Sequence, residues 1–222
     1  MRHGETEWLM QKRLTAGWLT QMPVIHSEPL FLAAWEVMAN YKVNDSRRHW
    51  NVPSIDFVFL DRAGLMVLVE LKREVRTPRA GWDLVCQVTH RAHALASGFS
   101  QVGLESVYLD CRSGLDGRAT RSSDIKPLLE AHAEAFSQSP IDELPALPVR
   151  RMVMADDFAP SFARVLRSVN TGTPTQVASA LSSYKPTGEI KRYLDLRQDP
   201  ALVDTGPIHA VTTNGRAWPR AK

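Results

Sequence analysis

The chain has 222 residues, 44% hydrophobic and 23% charged, the composition of an ordinary soluble protein long enough for one sizeable core with elaborations. No run of about 18 apolar residues occurs, and the N-terminus lacks the basic-then-apolar order of a secretory signal, so a cytoplasmic protein without a membrane span is expected. Lys and Arg exceed Asp and Glu by only 27 to 24, a net charge of +3 that suits a polyanionic partner without identifying one, and two cysteines, Cys86 and Cys111, exclude a disulfide framework.

Met10, Leu14 and Trp18 recur at four-residue spacing and predict a short amphipathic helix within residues 1–22, ending near Gly17. In "SEPLFLAAWEVMANY", Ser27 suits a helix cap and Pro29 a first-turn position. Leu30, Ala33, Ala34, Val37 and Met38 line one stripe, so a second helix is expected. A polar loop over 44–51 carries Asp45, Arg47, Arg48 and His49. Two apolar runs, Ser54 to Leu60 and Leu65 to Leu71, flank the turn signal Asp61-Arg62-Ala63-Gly64 and read as a hairpin. Leu84, Val88, Arg91, Ala92 and Leu95 restore a helical period between Trp82 and Ala96, ended by Gly98. "SVYLDC" at 106–111 reads as a strand, 112–126 as a surface loop, and 125–138 as a helix. "VRRMVMA" at 149–155 is a further strand, and Ser161 to Val169 a helix. The order implies a mixed α/β sheet flanked by helices.

The hairpin carries charges where a buried strand should have none. Phe57 to Leu60 and Leu65 to Val69 are apolar at every position, the mark of strands covered on both faces. Glu70 and Lys72 share one face by alternation. With a three-residue turn, Arg62-Ala63-Gly64 with the glycine left-handed, Asp61 faces Leu65 and Asp56 faces Glu70. Opposed residues have Cβ atoms roughly 4.5–5.5 Å apart, and two carboxylates that close repel unless a proton or cation intervenes. Mg²⁺ answers that need with one or two carboxylates plus waters and phosphate oxygens. A lysine beside it can orient or deprotonate water. The set fits metal-assisted phosphodiester hydrolysis, whereas solvent-exposed strand ends with Lys72 as a plain ion-pair partner would make it structural.

Asp56, then Glu70-Leu71-Lys72 across a hairpin, followed by "REVRTPRAGWDLVCQ", resembles the PD-(D/E)XK nuclease superfamily over residues 27–96, with "VRRMVMA" as a weaker match. The resemblance implies a restriction-endonuclease-like fold and a Mg²⁺- or Mn²⁺-dependent endonuclease acting on DNA. It assigns Asp56 and Glu70 to metal binding and Lys72 to water activation. Gln87 becomes a support on the following helix, and Glu28, with Glu36 as competitor, the acidic residue of the preceding helix. Two departures stand out: Ile55 replaces the motif's proline, and Arg91 occupies the position, four after the glutamine, where an aromatic residue is often found.

On this reading residues 1–26 form a helical arm, 27–170 the nuclease-like core and 171–222 an extension of unassigned structure. Arg47, Arg48, Arg73, Arg76 and Arg79 are expected to form a phosphate-tracking rim on DNA. A homodimer or a separate recognition partner would supply specificity. A catalytically inactive nucleic-acid-binding or assembly module on the same fold is the alternative. "RHGETEW" at residues 2–8 looks like the opening signature of the histidine phosphatases, but only Met1 precedes it where a strand is needed, and His209 lacks the following glycine. Cys86, His90 and His93 share a helical face at zinc-ligand spacing without an apparent fourth ligand.

Overall fold

The computed structural model describes residues 6–39, 52–98, 101–113, 124–145, 148–173, 176–177, 179–180 and 206–219. Helix α1 spans Glu7–Thr20, with the Thr6 hydroxyl accepting from the Leu9 amide at 3.3 Å to cap its N-terminus. Strands β1 (Val24–Ile25) and β2 (Glu28–Pro29) form a small ribbon turned through His26 and Ser27, both left-handed at φ 53° and 69°. Next come β3 (Phe31–Ala39), β4 (Val52–Leu60), β5 (Met66–Val75), α2 (Pro78–Gly98), α3 (Gln101–Ser113) and α4 (Leu128–Ala135). The chain continues with β6 (Arg150–Phe158), α5 (Pro160–Thr171), β7 (Ile208–Thr212) and β8 (Ala217–Trp218).

Strands β3 to β8 make one six-stranded sheet in sequence order. Strands β3, β4 and β5 pair antiparallel, β6 and β7 continue in parallel, and β8 turns back antiparallel on β7. A parallel β5/β6 pair needs a crossover between its strands, which here runs through α2, α3 and α4. One face of the sheet packs against α2, α3, α4 and α5 through residues such as Val58, Leu68, Val85, Leu104 and Phe162. The other packs against α1, where Met10 and Leu14 meet Phe57, Phe59, Val69 and Leu71. The Trp18 ring stands edge-on to Phe57 and Phe59, at 4.8 and 5.3 Å between centroids. No described helix is long and apolar enough to cross a membrane.

Two expectations need correction, and a segment that the sequence leaves unassigned takes a place in the sheet. The segment expected as a helix from Ser27 is the ribbon strand β2 and then β3. Residues 30 to 34 are all buried, and a short continuous apolar run of this kind fits a two-sided strand as well as a helix. Ser27 turns the ribbon instead of capping a helix. Conversely, "SVYLDC" lies inside α3, where Leu104, Val107, Tyr108 and Cys111 repeat at the helical interval; that stripe begins before Ser106. Finally, the segment beyond 171 contributes β7 and β8 to the main sheet.

The hairpin turn matches expectation. Asp61 N–H donates to the Leu65 carbonyl at 3.0 Å, and Asp61 Oδ1 accepts from the Ala63 and Leu65 amides at 2.9 Å each. Gly64 takes φ 83°, and a Cβ there would run into the Ile141 side chain. Gly64→Ala is therefore expected to lower stability by about 1–2 kcal/mol, measured by urea unfolding. An unchanged midpoint would mean that the turn relaxes freely.

Candidate active site

The antiparallel register Phe57↔Val69 and Leu60↔Met66 carries through to place Asp56 across from Glu70. Asp56 is half-buried, and its Oδ2 accepts a hydrogen bond from the Leu71 amide at 2.8 Å, tying the carboxylate to the neighbouring strand. The Asp56 carbonyl accepts from Gln11 Nε2 of α1 at 3.2 Å. Val69 and Leu71 enter the α1-side core, so Glu70 between them points toward α2, and it is fully buried.

Glu70 is met by two cations. Arg91 of α2 places Nη1 against Glu70 Oε2, and Lys72 Nζ lies 3.5 Å from Oε1. The same Lys72 amine bonds Glu7 Oε1 of the first α1 turn at 3.0 Å. Lys72 thus bridges Glu70 and Glu7, Arg91 closes on Glu70, and Asp56 lies within electrostatic reach of Lys72, Arg91 and Glu7. Three carboxylates face two cations, leaving the cluster with an excess of negative charge. Burial pushes the Asp56 carboxyl above its ordinary 3.8, while the Leu71 amide, Lys72 and Arg91 pull it back.

The sign of that shift sets a pH dependence. A carboxyl whose pKa is raised on folding favours the protonated native state, so its contribution is full below 3.8 and is lost as pH rises through the raised value. In metal-free buffer, stability should therefore fall with rising pH across the window just above 3.8 more steeply in the parent than in Asp56→Asn. Parallel urea-unfolding curves for the two proteins across that window would remove Asp56 as the source.

The donor chemistry fits a hard divalent cation. Such ions take one or two carboxylates and complete their shell with water and phosphate oxygens. Asp56 and Glu70 would supply the two carboxylates; no hydrogen bond reaches either Glu70 oxygen among the described residues, but each already faces a cation, Oε1 that of Lys72 and Oε2 that of Arg91. Gln87 lies one helical turn before Arg91, and its carbonyl oxygen is also buried without a hydrogen-bond donor among them. No cluster of three or more His, Cys, Asp or Glu forms a ready-made cage among the described residues.

The remaining expected residues fall elsewhere. Glu28 is not gathered into the acidic pair: it lies in β2 and ion-pairs with Arg150 at 2.6 Å, and Arg150 also lies 3.4 Å from Asp61 at the hairpin turn. Glu36 is the carboxylate nearer in register, since Trp35↔Phe57 and Val37↔Ile55 set it across β4 from Asp56. It is exposed, with φ 49° in the middle of β3. Arg73, Arg76 and Arg79 are exposed at the end of β5 and the start of α2, with Arg76 paired to Glu74 at 2.6 Å. Arg47 and Arg48 lie outside the described residues, as do Arg2 and His3 of the RHGETEW string, whose Thr6 caps α1.

His209 stacks at a tilt on His26, 4.7 Å between ring centroids, and burial lowers its pKa. Cys86 and His90 are buried in α2, so the zinc spacing there gathers no metal group among the described residues. Arg91 and Glu7 are the site members that sequence reasoning missed. Arg91 had a signal: it is a cation on the apolar side of α2 among Val88, Ala92 and Leu95, where only a buried anion would hold it. No family model matches this chain, and neither a curated protein nor a solved structure matches it.

Proposed function

We propose that the Asp56, Glu70 and Lys72 cluster hydrolyses phosphodiester bonds in DNA with Mg²⁺ or Mn²⁺, on a restriction-endonuclease-like core. The observation that carries the reading is the buried Glu70 carboxylate held across from Asp56 with the Lys72 amine 3.5 Å away. The order of three antiparallel strands, three helices and a parallel fourth strand supports the fold assignment, as does the resemblance of Asp56 and Glu70-Leu71-Lys72 to PD-(D/E)XK nucleases.

Asp56 and Glu70 would hold the cation, which when bound supplies Lewis acidity and charge neutralisation at the phosphate. Asp56 is fixed for this by its bond to the Leu71 amide. Lys72, held as a cation between Glu70 and Glu7, would orient the attacking water, and to take the water's proton it must first give up its own. Arg73, Arg76 and Arg79 extend positive charge beyond Lys72 along the emerging β5–α2 connection, where a phosphate backbone can lie.

The test is cleavage of labelled single- and double-stranded DNA with Mg²⁺ or Mn²⁺ against an EDTA control. Metal-dependent cleavage lost in Asp56→Asn supports the reading; no cleavage of either substrate counts against it. One observation favours a second reading: the Arg91 ion pair already neutralises Glu70, as a non-catalytic DNA-binding module on this scaffold would require. Salt-sensitive DNA binding without cleavage distinguishes that case.

A further inference from the structure

Arg91 reaches Glu70 from the opposite layer, one turn along α2 from Gln87. The Arg91 side chain is 9% exposed and that of Glu70 1%, so the pair is shielded from water and its attraction is little screened. Lys72 covers the other Glu70 oxygen at 3.5 Å. Each carboxylate oxygen therefore already faces a positive charge. A divalent ion at ligand distance from Glu70 would meet the Arg91 guanidinium across the same oxygens, and like charges that close in a buried site repel strongly. Ion and guanidinium cannot both occupy Glu70.

We infer that Arg91 is a built-in competitor for the divalent cation: it holds Glu70 until the ion displaces it, and so weakens metal loading of the site. The inference rests on the cation-binding reading above. It gives a role to a guanidinium buried among the apolar residues Val88, Ala92 and Leu95 of α2. An uncharged side chain there leaves Glu70 short of one counter-charge, which the divalent ion then supplies. Glu7, which shares the Lys72 amine at 3.0 Å, acts against Arg91: drawing that charge off the second Glu70 oxygen favours the ion.

The experiment titrates Mn²⁺ into the parent, Arg91→Met, Arg91→Gln and the double variant Asp56→Asn/Arg91→Met, read by calorimetry and by the electron paramagnetic resonance signal of free Mn²⁺. Arg91→Met and Arg91→Gln are expected to bind one Mn²⁺ at least about tenfold more tightly than the parent, the scale of removing 1.4 kcal/mol of competition. The double variant should lose that gain. Equal or weaker binding in the Arg91 variants overturns the competitor role and leaves cation binding standing. Absence of Mn²⁺ binding in every protein overturns the cation reading and the inference with it. Should Arg91→Met unfold in EDTA, recovery of its circular dichroism on adding Mn²⁺, absent in the double variant, gives the supporting result. Arg91→Gln, whose amide still donates to Glu70 without a charge, carries the comparison if Arg91→Met stays unfolded in both.

Discussion

Lys72→Ala is expected to lower metal-dependent DNA cleavage by about 10²–10⁴-fold, the usual contribution of a positioned acid or base. The loss should appear in kcat, because Lys72 stands beside the carboxylates while Arg73, Arg76 and Arg79 remain to hold the strand. Lys72→Arg should fail to restore the rate: a guanidinium keeps the charge next to Glu70 but does not give up its proton. Single-turnover cleavage at saturating DNA measures this directly. Equal rates for Lys72→Ala and the parent would remove Lys72 from the chemistry and leave it as a counter-ion of Glu70 and Glu7. Rescue by arginine would also refute proton transfer, in favour of a purely electrostatic role.

The buried Arg91–Glu70 pair carries the second large effect. Removing one member strands the other in the interior, which costs about 3–5 kcal/mol. Arg91→Met in metal-free buffer is expected to lose that much in urea unfolding, and Glu70→Leu a similar amount. The double variant Glu70→Leu/Arg91→Met should recover most of the loss, because apolar side chains of similar volume can replace a buried ion pair with little net cost. The coupling term of this cycle reads the interaction itself, since each single variant leaves one uncompensated charge. Additive losses would mean that the two groups do not depend on each other.

Which parts of this protein were legible before any coordinates follows from how local each determinant is. The β4–β5 hairpin was readable because its register is set by four residues: Asp61 accepts from the amides that follow it, and Gly64 takes the left-handed turn. Once the register was known, Asp56 across from Glu70 followed without tertiary information. Segment 27–39 misled because Ala33 and Ala34 favour helix while their neighbours are apolar on every side, and strand pairing with β4 overrode local preference. Glu28 was misplaced for the same reason, its role having been tied to a helix that does not form. The stripe of α3 was hidden by starting the count at Ser106. Strands β7 and β8 are short, and what holds β7 in place is long-range: Asn170 of α5 bonds both the amide and the carbonyl of Ile208 at 2.9 Å. Arg91 could not be paired with Glu70 until α2 was laid on the sheet.

The late arrival of β7 has a consequence for biosynthesis. Strand β6 lies between β5 and β7, yet its second neighbour is encoded about fifty residues after it ends. While a ribosome is still making that interval, β6 presents a row of open amides and carbonyls to solvent, the template on which unrelated chains add themselves. Slowing translation after codon 171 should therefore raise the share of nascent chains trapped in aggregates or held by chaperones, and a circular permutant that delivers Ile208–Thr212 early should escape that hazard.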